Sequence, residues 1–273
     1  MKTLILLLSF FALTFAQNLE LVKGQAVFLE FDKSLLSLKN EKNELSFFKH
    51  PTKNDKVVAI FSLAYKNPPK ESRLIASYKD KKEIIIIKTL QGNYKSEKIV
   101  VESKKAFPPK NEQNRIKEEL QEANKIYGSY TNEALFNGTF NKPLNSKITS
   151  SFGKARVFNE KLASYHSGTD FKASMKTPIY ATNSGIVRLA KERYFAGISI
   201  IIDHGYGIYS QYYHLSSTKL KVGQKVKKGE FIGLSGNSGR VSGPHLHFGI
   251  FAGGKQVDPL DFIAKFNKLF NEI

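Results

Sequence analysis

The sequence predicts a mostly β protein: a small antiparallel β-sandwich at the amino end, one linker helix, and a glycine-rich β-sheet domain at the carboxyl end. Three observations carry this. Short runs of β-branched and aromatic residues, punctuated by turn residues, recur through the amino-terminal third. A stretch from Asn111 to Tyr127 has helical apolar spacing. Beyond it, glycines separate short apolar runs, which suits the tight corners of a strongly coiled β structure. At 273 residues the chain is long enough for two modest domains, each with its own core. The expected limits are 1–16 for a signal peptide, 18–103 for the β-rich domain, 104–134 for the linker helix and 135–273 for the last domain.

The first sixteen residues read as an export signal. Met1 and Lys2 give a basic start, Leu4 to Phe15 is apolar, and Thr14-Phe15-Ala16 offers small residues ahead of Gln17. The apolar run is shorter than the ~20 residues a spanning helix needs. The chain has no cysteine, so lipid attachment through a cysteine is excluded. The expectation is an exported, periplasmic protein without a transmembrane segment once the signal is removed.

The formal charge of +18 draws the surface towards polyanions, an acidic cell-wall polymer among them. Only six of the 42 basic residues are arginine, so the forked donors of specific phosphate recognition are scarce and nucleic acid is not an expected partner.

Strands are expected at Gln25 to Glu30, Val57 to Leu63, Arg73 to Tyr78, Glu83 to Lys88 and Glu97 to Val101. Asn67-Pro68-Pro69-Lys70 is a turn that a central strand could not hold. His50, alone beside Pro51, reads as structural or exposed. In the helix, Ile116, Leu120, Ala123 and Tyr127 form one apolar stripe, with prolines at the start and Gly128 at the end. That marks a connector packed across one or both domains. Ile198 to Asp203 and Ile208 to His214 read as a hairpin around Gly205-Tyr206-Gly207, with Asp203 and His204 as turn architecture. Leu260 to Phe270 closes the chain as a short helix.

Two distant stretches carry chemistry: His166-Ser-Gly-Thr-Asp170 and Gly243-Pro-His245-Leu-His247. They hold three of the six histidines and a carboxylate, which are the ligand types of a hydrolytic zinc site. Without cysteine, a thiol nucleophile and a thiolate-capped structural zinc are both excluded. On an extended strand His245 and His247 share a face while Leu246 points into the core. Four positions of separation also put His166 and Asp170 on one face, and the glycine between them favours a strand or loop. Gln211-Tyr-Tyr-His214 ends the hairpin strand, where alternation pairs Tyr212 with His214.

Taken together these motifs resemble the LytM/lysostaphin-type zinc metallopeptidases over roughly residues 135 to 264. Ser150-Ser151-Phe152-Gly153 with Arg156, Ile201-Ile202-Asp203-His204-Gly205 and Val222-Gly-Gln-Lys-Val226-Lys-Lys-Gly229 support the likeness. The order of signal, β-rich domain and linker helix is similar to cell-shape-determining peptidoglycan DD-endopeptidases of helical Gram-negative bacteria. The resemblance implies a LytM-type domain in which His166, Asp170 and His247 bind Zn2+. His214 and His245 would then act as catalytic residues beside the metal, either of them as the general base. It also implies hydrolysis of cross-linking stem peptides, with peptidoglycan as partner and a cell-shape protein complex as a candidate one. Alternatives are carboxypeptidase trimming of stem peptides and a non-enzymatic murein-binding activator, which intact ligands disfavour. A lipoyl-type carrier is disfavoured because Lys176 is a poor hairpin-tip lysine. Residues 18–103 are expected to cover the cleft partly or to orient it on the wall.

Overall fold

The structure, a computed structural model, describes residues 14–41, 43–99, 108–158 and 162–271. The expected signal peptide falls mainly on residues 1–13, outside the described residues, and positions 14–16 open the first strand. The expected limit at residue 103 also lies outside them. Among the described residues no helix is long and apolar enough to cross a membrane.

The amino-terminal part contains β1 (Thr14–Val22), β2 (Ala26–Asp32), β3 (Ser37–Asn40), β4 (Asn43–Glu44), β5 (Phe47–Lys49), β6 (Lys56–Ser62), β7 (Glu71–Ser77) and β8 (Lys82–Leu90). They form two sheets, ordered β1-β8-β7-β3-β4 and β2-β6-β5. The expected sandwich is antiparallel; here β1 runs parallel to β8, with Leu19 opposite Ile87. The reason lies in the turn at Val22–Gln25, where Gln25 N–H donates to Val22 O. It sends β2 straight into the second sheet, so β1 takes the free edge of the first in whichever direction it runs.

Strand β6 explains why its sequence is an unbroken apolar run. Its side chains alternate between two cores. Val57, Ala59 and Phe61 face the sandwich core with Leu38, Leu74 and Ile87, whereas Val58 and Ile60 join Ala26 and Phe48 against the carboxyl-terminal domain. The second face is aromatic: Phe48 stacks on Tyr206 at 4.4 Å, and Phe28 meets Phe262 and Phe266 at 5.4 and 5.6 Å. A strand buried on both faces welds the two parts through one continuous hydrophobic contact.

β9 (Ser96–Ile99) leaves the sandwich and pairs in parallel with β11 (Ala155–Phe158), which forms a hairpin with β12 (Leu162–Tyr165). Between them lies α1 (Lys110–Tyr127). The large sheet has the order β10 (Ile148–Ser150), β13 (Thr169–Lys172), β20 (His245–Ala252), β17 (Tyr209–Ser217), β16 (Gly197–Asp203), β15 (Gly185–Arg193), β18 (Lys225–Val226). β14 (Pro178–Tyr180) pairs with β19 (Phe231–Ser235), which joins β17, and β21 (Lys255–Val257) edges β20. Its rear face, with Leu246, Phe248 and Ile250, is closed by α2 (Pro259–Asn267) and the 3-10 turn Lys268–Phe270. Asp258 caps α2 by accepting from Leu260 N–H and Asp261 N–H, and its own N–H donates to Gly24 O.

The hairpin turn needs glycine at Gly205, where φ is +85° and a side chain would collide with the Glu133 carbonyl. Next to it His204 is fully buried, bridging Ser184 O through Nδ1 (2.7 Å) and Ser210 Oγ through Nε2 (2.8 Å). His50 acts just as locally, its Nδ1 accepting from the Thr52 and Lys53 backbone N–H groups.

Burial lowers His204 to about 4, so the folded protein keeps it neutral while the unfolded chain protonates it near 6.5. Its contribution is therefore complete above pH 6.5 and is lost as pH falls from there towards 4. His204→Gln should flatten the pH dependence of urea-unfolding free energy across that window, by about 3 kcal/mol between its ends. An unchanged slope would refute the assignment.

Candidate functional site

Register brings the site together. β13 and β20 are antiparallel with Asp170 directly opposite His247, and β20 in turn sets Tyr213 of β17 opposite His247. Asp170, His247 and Tyr213 thus form one lateral row across three strands and project from the same face. His166 precedes β13 and reaches the row across Ser167-Gly168. A Cβ on Gly168 would fall within 2.6 Å of His247 Nε2 and closer still to the Phe248 carbonyl, so only glycine lets the loop pass.

Three donor atoms meet there. His166 Nε2 lies 2.8 Å from Asp170 Oδ1 and 3.0 Å from His247 Nδ1, and the last two are 2.9 Å apart. Tetrahedral zinc at bonds of about 2.0–2.1 Å requires donors about 3.3 Å apart. The triangle is close to that spacing, and its donor set, two imidazoles and a carboxylate, is the one zinc takes in hydrolytic sites. His166 Nδ1–H donates to Ser151 O at 2.9 Å, with Ser150 Oγ at 3.1 Å, so its Nε2 lone pair is presented to the cluster. Burial opposes charge on Asp170, yet the adjoining His166 and His247 imidazoles hold its carboxyl well below the usual range.

His214 and His245 stand beside the triangle, their rings 4.9 Å apart. Both are held the same way. His245 Nδ1–H donates to Gly243 O and His214 Nδ1–H to Ser238 O, each at 2.9 Å, which turns both Nε2 atoms towards the cleft. His245 Nε2 comes within 3.7 Å of Asp170 Oδ1. Burial, reinforced by His245 and His247, lowers His214 well below its ordinary value, so it stands as a neutral imidazole at neutral pH.

The expected pairing of Tyr212 with His214 is corrected. Ile198 lies opposite Leu215 and Ile200 opposite Tyr212, so Tyr213 and His214 together face Ser199 in a β-bulge, with His214 at φ +65°. Tyr212 stays in the rear core, its hydroxyl accepting from Thr182 N–H. Tyr213 is the tyrosine of the site: its ring stacks on His247 at 5.3 Å and 13°. Alternation alone could not reveal an inserted residue.

The site opens into a cleft of about 500 Å³. One wall is α1, whose stripe Ile116, Leu120, Ala123 and Tyr127 lines it. Tyr127 stacks on Phe251 at 4.4 Å and packs under the helix with Leu189, Ile201 and Tyr209. The predicted connector is therefore also part of the groove, whereas no residue of 18–103 lines it among the described residues. The amino-terminal part instead touches the approach to His166, where Tyr65 stacks on Tyr165 at 4.3 Å. Of the residues flanking the motifs, Tyr165, Phe195 and Arg240 line the cleft; Tyr194 and Asn237 do not. Gln211, Tyr213 and Arg193 also line it, and no sequence motif singled them out as groove residues.

Residues 164–259 match the model of peptidase family M23. The chain carries an M23 peptidase domain. All five site residues lie inside that span. Peptidoglycan DD-endopeptidase ShyA of Vibrio cholerae is 40% identical over 121 residues, which are 43% of this chain and 28% of ShyA. Lysostaphin of Staphylococcus simulans is 38% identical over 104 residues, 36% of this chain and 21% of lysostaphin. The match thus spans under a third of each of these relatives. A crystal structure from Pseudomonas aeruginosa assigned to peptidase M23 shares the fold at TM-score 0.70, with 24% identity over 90% of this chain and 96% of that one. The fold likeness therefore extends beyond the M23 domain to the amino-terminal sheets.

Gly168→Ala should displace the His247 ring. The expected cost is about 1–3 kcal/mol of stability together with weaker binding of added Zn2+, read by urea unfolding and by competition against a chromogenic chelator. Wild-type zinc affinity in that variant would show that the close approach does not position the cluster.

Proposed function

We propose that this chain is a zinc-dependent peptidoglycan hydrolase that cleaves cross-linking stem peptides as a DD-endopeptidase. We place it in the periplasm, in cell-wall remodelling and cell shape. The observation that carries the reading is the triangle of His166 Nε2, Asp170 Oδ1 and His247 Nδ1 beside two further imidazoles that face the cleft. Similarity to the DD-endopeptidase ShyA and the M23 match support the substrate class. The net charge of +18 suits an acidic polymer.

His166, Asp170 and His247 would hold the zinc, and three protein ligands leave a coordination position for solvent and substrate. When bound, zinc supplies Lewis acidity that polarises a carbonyl and acidifies water. The remaining work falls to the chain. His214, neutral and anchored through Nδ1–H on Ser238 O, offers a basic Nε2 for a proton. His245, anchored on Gly243 O, places a second Nε2 across the same space. One would accept the proton of the attacking water at Nε2 and return it to the leaving amine; the other, when protonated at Nε2, would steady the developing oxyanion. Tyr213, braced by Gln211 through its hydroxyl at 2.9 Å, fixes the plane of His247. The wall formed by α1 restricts solvent and gives an extended peptide an apolar edge to lie along.

His247→Ala should lose bound zinc along with activity, whereas His245→Ala should keep the metal and lose about 10²–10⁴-fold in kcat. Metal content of both purified variants decides this, and equal zinc loss would overturn the division of roles. Purified sacculi digested with the zinc-loaded protein should yield monomeric muropeptides from dimers, read by mass analysis. Shortened monomers alone would mean trimming instead, and intact sacculi would refute the hydrolase reading.

A further inference from the structure

Arg193, the last residue of β15, is a buried cation without a carboxylate partner. It is 8% exposed, and among the described residues no Asp or Glu oxygen lies within ion-pair distance of it. Its Nε donates to Ser199 Oγ at 2.9 Å, and Ser199 Oγ donates in turn to Lys191 O. Its guanidinium carbon lies 4.7 Å from the centre of the Tyr213 ring. Buried Nη2 has no hydrogen-bond acceptor among the described residues. Glu119 on the facing helix makes no ion pair with it; its Oε1 accepts from Arg115 Nε and its Oε2 from Tyr194 N–H, each at 2.8 Å.

A buried charge with an unused donor is strongly destabilising unless something compensates it. Of the buried side-chain atoms without a partner among the described residues, Nη2 of Arg193 is the one whose residue lines the cleft. Nη2 itself is closed to solvent, but Arg193 lines the cleft, so a small shift of the side chain would present the unpaired nitrogen to an acceptor that enters there, and a guanidinium edge is shaped for a carboxylate. Position narrows the choice. Arg193 stacks on Tyr213 and Tyr213 stacks on His247, at 4.7 and 5.3 Å. The guanidinium is thus within about 10 Å of the cluster, the reach of at most three extended residues.

We propose that Arg193 is the specificity residue that receives a carboxylate on the leaving-group side of the scissile amide. This rests on the hydrolase reading and deepens it. In an amide between two D-centres of peptidoglycan, at a direct cross-link or at a D-Ala–D-Ala terminus, the carbon bearing the leaving nitrogen carries a free carboxylate. One guanidinium would serve both endopeptidase and carboxypeptidase action and would reject amides that lack that anion. Unlike Arg240, which lies over Phe195, Arg193 is held at Nε and along its face while Nη2 is left unpaired.

The test pairs an N-acylated Lys–D-Ala–D-Ala peptide as free acid with its C-terminal carboxamide, on the zinc-loaded full chain. Calorimetric binding is measured as well as kcat/KM. Wild type should favour the acid about ten- to hundredfold, the range of a charge-assisted hydrogen bond. Arg193→Gln should bring that ratio towards one, and Arg193→Lys, which keeps the charge but not the fork, should fall between. Equal handling of acid and carboxamide by wild type would overturn the proposal. So would a ratio that survives Arg193→Gln or collapses only in Arg240→Gln. Selective binding of the acid would uphold this inference even if sacculi stayed intact, the result that sinks the hydrolase reading.

Discussion

The antiparallel pairing of β13 with β20 fixes everything else at the site. It sets Asp170 opposite His247, so two of the three donor atoms come from adjacent strands held by a continuous hydrogen-bond ladder. A slip of one residue would turn His247 to the rear and Leu246 to the front, exchanging a member of the donor triangle for a core side chain. The rear face prevents such a slip, because Leu246, Phe248 and Ile250 are buried against α2 and the aromatic cluster. The hydrophobic core and the donor triangle are two faces of one register.

That core is also where the amino-terminal sheets attach. Because β6 feeds both hydrophobic clusters, the sandwich is fastened to the catalytic sheet from behind and leaves the front open. The front is instead bounded by α1, whose apolar stripe turns towards the cleft rather than into a bundle. A helix whose stripe is one side chain wide is too weakly apolar to be buried all round, and here it roofs a groove from one side. Its fixture is aromatic: Tyr127 on Phe251, with its hydroxyl 3.4 Å from that of Tyr213.

His214 owes its orientation to irregular backbone, and His245 to its place at the start of β20. His214 sits in a bulge at positive φ and His245 at the mouth of β20, each with Nδ1–H tied to a loop carbonyl. Strain of this kind persists where the surroundings over-determine it, here the hydrogen bond from His214 N–H to Ala196 O and the packing of Tyr212 behind. The same bulge carries Tyr213 to the front, where it links His247 on one side to Arg193 on the other.

Much of this was legible in the residues alone. The strand periods of β2, β6, β7 and β8, the apolar stripe of α1 and the hairpin of β16 and β17 follow from local chemistry: side-chain branching, alternation and glycine placement. The sharing of a face by His245 and His247 follows from the pleat. His166 and Asp170 were legible as a motif, and with His214, His245 and His247 they carried the resemblance to the zinc metallopeptidases. Non-local facts were not legible. A bulge is an insertion relative to a partner strand, so Tyr213 could not be told from Tyr212 by counting along one strand. The parallel edge at β1, the turn of α1 towards the cleft and the orphaned edge of Arg193 each depend on which surfaces meet after folding. Sequence determined the elements and the ligand types, because those are set within a few residues. Tertiary structure decided register, wall and charge environment, because those exist only between segments that the chain brings together from far apart.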